Sequence, residues 1–388
     1  MPIVPGELPR PDAAALEHSE HVAAHIRHAI GQADGAIPFS EYMRLALYAP
    51  GLGYYRAGAE KFGAAGDFVT APEVSPLFGQ TVARQIGETL ALCEGDTVLE
   101  LGAGSGRLAL DVLRTLASEN RLPQRYLILE PSAELAARQR DLLAGEPELA
   151  ARVQWLNRLP EKPVRGVIFA NEVADALPVE RFRRDDDGVC RLGVGIEDDC
   201  FAVRKLDADG AVEERVRTLA ERYDWGAVYE SEFCPELAPW IQALAGALDR
   251  GMILMFDYGL PEREYYHRQR DMGTLLCHYR HRAHEDPFLW PGLCDITAWV
   301  NFSALARAGE EAGLEVGGYT SQANFLVGGG IGEAIEQARD ERERLRLAGE
   351  IKRLVLPSEM GEVFKAIALT RDCAPPSAFA FHNIAARL

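Results

Sequence analysis

One glycine-rich turn at the end of a short apolar run constrains this chain more than any other feature. DTVLELG (96–102) is a short run, apolar over Val98–Leu101 except for Glu100, that ends in glycine and leads into a helical pattern from Arg107. The theme repeats. RYLILEP (125–131) precedes a helical stretch from Ser132, and RVQWLN (152–157) and GVIFANE (166–172) are two more apolar runs. GMILMFDYG (251–259) is another, after a helical pattern near 236–249. Nearly continuous apolar strands separated by helices imply a parallel sheet covered on both faces. With 47% hydrophobic residues, 388 residues can build such a core, as two domains or one large domain with insertions.

The flanking segments read differently. Residues 1–15 are Pro/Ala-rich. Residues 16–31 predict an amphipathic helix with Leu16, Val22, Ile26 and Ile30 on its apolar stripe, and a second helix spans 39–48. His18, His21, His25 and His28 share another stripe, but without the Glu of HExxH they read as a solvated face. Ser75-Pro76 starts a helix to about 92, with Ser as N-cap and Pro at the first position. Residues 179–205 alternate polar and apolar around an Asp-rich turn, which predicts an antiparallel insertion. Residues 260–295 read as irregular. A helix over 301–312, a strand near 314–320, a charged helix at 331–350 and a last strand at 362–370 complete the chain. The expected divisions are an N-terminal helical cap (1–92), a core (93–178, 236–259, 301–388), an antiparallel insertion (179–235) and a lid (260–300).

Net charge −18 argues against nucleic acid as a partner, because phosphate binding needs clustered Lys and Arg. No 18-residue apolar run spans a membrane. Seven cysteines without a CxxC read as reduced thiols, although Cys190 and Cys200 flank a hairpin and could meet. The N-terminus lacks signal- and transit-peptide character, so cytoplasm is the expected compartment.

The turn itself reads Glu100-Leu101-Gly102-Ala103-Gly104-Ser105-Gly106. A dinucleotide fingerprint would need glycine at 107, which is Arg. The GxGxG spacing with an acid two residues before the first glycine resembles the S-adenosylmethionine (SAM) motif of class I methyltransferases. An acid at the end of the second strand should accept hydrogen bonds from ribose hydroxyls, and Glu130 stands there. The fourth strand ends in NEVADALP and the fifth in FDYG, placing Asn171, Glu172, Asp175, Asp257 and Tyr258 at the carboxyl edge, where open α/β sheets build sites. Two readings stand for these residues: ligand contacts, or caps and strand-end turns.

Taken in order, GDFVTAPEVSPLFG, ELGAGSGRLALDVL, LEPSAEL, NEVADALP, FDYG, GTLLCHYRH and PGLCDITAWVNFS resemble the MidA-like SAM-dependent methyltransferases. This group includes the mitochondrial protein-arginine methyltransferase that acts in respiratory complex I assembly. The resemblance runs from about residue 36 to 370. One departure is Ala103, where the family usually has Pro. The resemblance implies a class I SAM-dependent methyltransferase fold, a Rossmann-like seven-stranded sheet with its last strand antiparallel, bearing the N-terminal helical cap and the insertions. It also implies SAM as methyl donor and a protein arginine, of a complex I subunit, as an acceptor that is dimethylated symmetrically. Methylation of a small molecule, or SAM binding by an assembly factor with little turnover, stand as alternatives.

For the cofactor, the candidates are Glu100, Gly102, Gly104, Gly106, Glu130, Asn157 and Asn171. An arginine acceptor needs a carboxylate to orient its planar fork and offset its charge. Glu172 is the first candidate for that clamp, with Asp175 and Asp257 beside it in sequence order. Asp67 and Glu73, in the stretch GDFVTAPEVSPLFGQ, are candidates for the rim of the pocket or a lid, against a plain turn and helix cap. His278, Tyr279 and His281 are candidates for the lid in 260–300.

Overall fold

The computed structural model describes residues 8–56 and 70–388. They divide into two compact units. One comprises residues 70–174, 238–259 and 302–388; the other comprises 8–56, 175–237 and 260–301.

The first unit is organised by the apolar runs. They form β1 (Thr97–Leu101), β2 (Arg125–Leu129), β3 (Val153–Leu156), β4 (Val164–Asn171) and β5 (Leu248–Leu260). Two later strands, β6 (Glu315–Ser321) and β7 (Phe364–Arg371), complete the sheet path β6-β7-β5-β4-β1-β2-β3. Pairing is parallel from β3 through β5, and β7 runs antiparallel to both β5 and β6. Seven of the sheet's eight strands lie on this path, which is the expected seven-stranded arrangement with its last strand reversed. The runs lack polar/apolar alternation because helices cover both faces, and all five residues of β1 are buried.

Three helices position the site: α1 (Pro76–Cys93), α2 (Arg107–Ser118) and α3 (Ala133–Leu143). Ser75 Oγ accepts the Leu77 N–H at 3.2 Å and caps α1, with Pro76 at its first position. Val82, Ile86, Leu113, Val167, Phe169 and Leu254 lie in one buried core. Each such side chain contributes about 1.5–3 kcal/mol on burial. Phe256 joins that core edge-on to both Phe78 and Phe325.

Some boundaries move. The charged helix expected at 331–350 is two helices, Glu333–Glu336 and Glu341–Val355. Asp340 separates them because its carboxylate accepts the Glu343 N–H at 2.8 Å and starts a new helix. A further helix, Gln322–Gly328, follows β6 directly, with Ser321 as its N-cap. Helix α1 belongs with the sheet and not with an N-terminal cap segment.

The second unit combines the N-terminal helices with both insertions. Helices Ala13–Gln32 and Phe39–Tyr48 bury Val22, Ile26, Tyr42 and Met43 with Val194. His21, His25 and His28 are exposed, as a solvated face requires. Within 179–235, Glu180–Asp185, Gly188–Glu197 and Tyr229–Phe233 share an antiparallel sheet with Ala36–Pro38, Cys200–Asp207 pairs on Gly188–Glu197, and Gly210–Tyr223 is a helix. Cys190 and Cys200 do not meet. Cys190 stands opposite Asp207 while Cys200 stands opposite Glu197, and both thiols are free.

The 260–295 segment is not irregular. It holds a short helix, Glu262–Tyr265, and a sheet in which Leu276–Tyr279 is flanked by Arg282–His284 and Asp295–Thr297. Those strands are too short for a readable period. The tight turn between the first two carries no glycine signal, although Arg280 and His281 both take left-handed backbone, at φ 47° and 61°.

Candidate active site

The glycine loop leaves β1 at its carboxyl end. Gly102, Gly104 and Gly106 all have positive φ, at 61°, 53° and 82°. The approach there is close: a Cβ on Gly102 would stand 3.2 Å from Val173 Cγ2, and one on Gly106 would stand 3.1 Å from Gln139 Cγ. Gly106 then leads into α2.

Three polar groups brace this loop. Gln139 on α3 is fully buried, and its Nε2 donates to the Gly104 carbonyl at 2.9 Å and to Glu130 Oε2 at 3.2 Å. Its Oε1 accepts the Trp155 indole N–H at 2.9 Å. Glu130, at the end of β2, also accepts the Ser132 N–H at 2.9 Å. Ser105 donates its hydroxyl to Glu73 Oε1, so the stretch upstream of α1 reaches the loop through Glu73. Asp67 lies outside the described residues. Gln139 and Trp155 were missed in the sequence. The signal was a polar residue at an inward position of α3, between Leu135 and Leu143.

Glu100 faces inward on β1 and accepts the Tyr126 hydroxyl at 2.7 Å. Burial pushes its carboxyl up to about 8, more than the Tyr126 bond pulls it down, and Glu130 adds to the rise. Glu100 therefore keeps a proton near neutral pH. Asn157, beyond β3, is exposed.

The turn after β4 is the most constrained part of the carboxyl edge. Glu172 adopts left-handed backbone at φ 55°, and its N–H donates to the Phe256 carbonyl at 2.9 Å. A non-glycine residue there is held by its surroundings. Asp257 supplies the hold. Its Oδ2 accepts the Val173 and Ala174 N–H groups at 3.3 and 2.9 Å, and its Oδ1 accepts the Tyr258 N–H at 3.0 Å. Tyr258 stands edge-on to Phe364. Asn171 donates from Nδ2 to Glu172 Oε1 at 3.1 Å, which turns its Oδ1 the other way. That oxygen is buried and accepts nothing from the protein.

Such an edge fits a ligand with a polar donor end and ribose hydroxyls. The glycine loop clears space, Glu130 offers carboxylate oxygens at the second strand, and the buried Asn171 Oδ1 calls for a donor. The family described as "putative S-adenosyl-L-methionine-dependent methyltransferase" matches residues 81–320. This chain belongs to that methyltransferase family. Its members take the methyl group from SAM, and this methyltransferase does so as an enzyme.

Solved relatives agree. A Burkholderia thailandensis protein bound to S-adenosyl-homocysteine superposes with TM-score 0.94 at 44% identity, over 98% of this chain and 100% of that one. Among curated proteins, the mitochondrial protein arginine methyltransferase NDUFAF7 of Danio rerio is 29% identical, over 86% of this chain and 83% of its own. The Homo sapiens protein of the same name is 29% identical, over 89% and 82%. These curated relatives are named mitochondrial, which overturns the expectation of a cytoplasmic protein.

The remaining sequence candidates fall in the second unit. Asp175 is buried, and its backbone carbonyl accepts the Ala298 N–H at 3.0 Å. Around it are residues the sequence did not flag. Tyr48 donates to the Ala176 carbonyl at 2.8 Å, Tyr55 donates to Asp295 Oδ1 at 2.9 Å, and the two rings stack at 5.5 Å. Burial first, then Asp295 and Asp175, push both phenols up, so they stay protonated donors. His278 is pushed down to about 4 by burial and by His284, so its ring is neutral at physiological pH. Tyr279 is buried against Trp290. Among the described residues no helix is long and apolar enough to cross a membrane.

Proposed function

We propose that this methyltransferase acts on a protein arginine. The observation that carries the reading is the Asn171–Glu172 pair: a carboxylate on a clamped left-handed turn, beside a buried carbonyl oxygen without a donor. A guanidinium presents N–H donors in one plane and always carries charge, so the Glu172 carboxylate suits it, while the adjacent Asn171 oxygen is left to the cofactor. The names of the curated relatives support the same reading. Following the family resemblance, the acceptor is an arginine of a complex I subunit-like protein, and the product is symmetric dimethylarginine.

Bound SAM supplies an electrophilic methyl on a sulfonium. The chain's own residues do the rest. The glycine loop and Glu130 hold the nucleoside and amino-acid parts, with Asn171 facing the same ligand. Glu172 orients the guanidinium by accepting its N–H groups and takes the proton released as the nitrogen is methylated. Asp257 acts through the turn, by holding the Val173 and Ala174 N–H groups. Glu73 stands at the rim of the loop through Ser105.

Incubation with radiolabelled SAM and a lysate of the source cells tests the proposal, with Glu172→Gln beside the parent chain. A labelled protein band whose hydrolysate contains dimethylarginine, weakened about 100-fold in the variant at unchanged S-adenosyl-homocysteine affinity, is the expected result. Label confined to small molecules, or cofactor binding with no label at all, would overturn it.

A further inference from the structure

Two thiols meet at the edge of the sheet opposite the glycine loop. Cys93 ends α1 and is fully buried; Cys373 lies two residues beyond β7 and is half-buried. The two thiols are near enough to influence each other electrostatically, while Cys93 donates to the Leu90 carbonyl at 3.9 Å and Cys373 to the Ala374 carbonyl at 3.4 Å. The strand register explains how residues so distant in sequence reach each other. Gly166 on β4 pairs with Gly251 on β5, and Gly251 pairs with Arg371 on β7. A Cβ on Gly95 would stand 2.8 Å from Cys93 Sγ and 2.8 Å from Gly166 Cα, which seats the Cys93 sulfur at the start of β4. Across Gly166 and Gly251 no side chain intervenes. Arg250 fixes the other partner, donating from Nε to the Asp372 carbonyl at 2.9 Å.

We propose that Cys93 and Cys373 form a reversible disulfide that staples α1 to the end of β7 under oxidising conditions. The half-buried Cys373 is the entry point. With a low-molecular-weight disulfide such as oxidised glutathione, the Cys373 thiolate attacks one glutathione sulfur and the other leaves as a thiolate. The Cys93 thiolate then attacks Cys373 Sγ, forming the protein S–S bond and releasing the second glutathione. Two protein thiols are oxidised, one glutathione disulfide is reduced, and the two protons end on the released thiols. Burial pushes both thiols up, Cys373 to about 11, while the Arg250 charge pulls each down. Exchange is therefore slow near neutrality and quickens as pH rises. The bond closes a very long loop, which favours a large restriction of the unfolded chain. It lies away from the cofactor edge, so it acts on stability and not on methyl transfer.

The test equilibrates the intact protein with oxidised and reduced glutathione mixtures at pH 7 to 9, followed by alkylation and non-reducing peptide mapping. A Cys93–Cys373 cross-linked peptide, formed faster at higher pH and removed by dithiothreitol, is expected. The oxidised protein should lose the mass of two hydrogens and melt about 5 °C or more above the reduced one, a gap absent in Cys373→Ser. If Cys373 is recovered only as a glutathione adduct, or both cysteines are recovered alkylated throughout, the proposal is wrong. Should Cys373→Ser not fold, the cross-linked peptide from the parent chain decides alone.

Discussion

The two units are stabilised in different ways. The sheet unit buries aliphatic strands between helices, and its core is mostly Leu, Val, Ile, Ala and Phe. The other unit is drawn from three separate stretches and relies on aromatic stacks and buried polar bonds. There Trp225 stacks on Tyr229 at 3.9 Å and donates its indole N–H to the Tyr266 carbonyl. Glu232, almost wholly buried, accepts from the Tyr265 hydroxyl, the Thr274 hydroxyl and the Thr274 N–H at 2.7, 2.7 and 3.0 Å. Aliphatic burial is non-directional and survives small changes, whereas a buried polar hub fails when one member leaves.

Glu232→Ala should therefore give the largest effect. It strands three donors and leaves a cavity, costing about 3–5 kcal/mol. Hydrogen exchange should quicken in residues 229–233 and 262–276 while S-adenosyl-homocysteine still protects β1, β2 and β4. Equal loss of protection in both units would show that the division has no energetic meaning.

This difference also sets how much of the molecule could be read from sequence. In the sheet unit, long apolar runs, glycines at a strand end and Ser-Pro at a helix start are local signals, so the strand series, the glycine loop and Glu130 were legible. The hub was not. Glu232, Tyr265 and Thr274 share no period, and only folding brings them together. At the candidate site, Glu172 and Asp257 were legible as strand-end acids. Their unlike geometries were not, because Asp257 takes the N–H groups of a turn three-dimensionally adjacent but far away in sequence. Gln139 hid in an amphipathic helix.

Glu100 is the polar exception inside the aliphatic unit and offers the next test. Its carboxyl is raised from the ordinary range to about 8, so the folded chain holds a proton that the unfolded chain releases near pH 4.5. The native state binds more protons between those values, so stability falls as pH rises through that window, by at most about 1.4 kcal/mol per pH unit. Glu100→Gln keeps an acceptor for the Tyr126 hydroxyl and cannot ionise. Urea melts should show the parent losing about 3–4 kcal/mol relative to the variant between pH 5 and pH 8. An unchanged difference across that range would place the Glu100 carboxyl in the ordinary range.

The smallest effect tests the polar brace of the cofactor loop. Gln139→Ala removes the bonds to the Gly104 carbonyl and Glu130 and leaves the Trp155 N–H without its acceptor. Glu130 retains the Ser132 N–H, and the strand core is untouched. The loss falls on loop order, so the cofactor must restore it on binding, and affinity drops in proportion. Calorimetric titration with S-adenosyl-homocysteine should show binding weakened about 10-fold, or about 1.4 kcal/mol, with the melting temperature shifted by only a few degrees. Gln139→Glu sharpens the point. It places a second carboxylate beside Glu130, and like charges at that distance should weaken binding further at pH 8 than at pH 5. Affinity equal to the parent chain in both variants would mean that the glycine loop is held by its backbone alone.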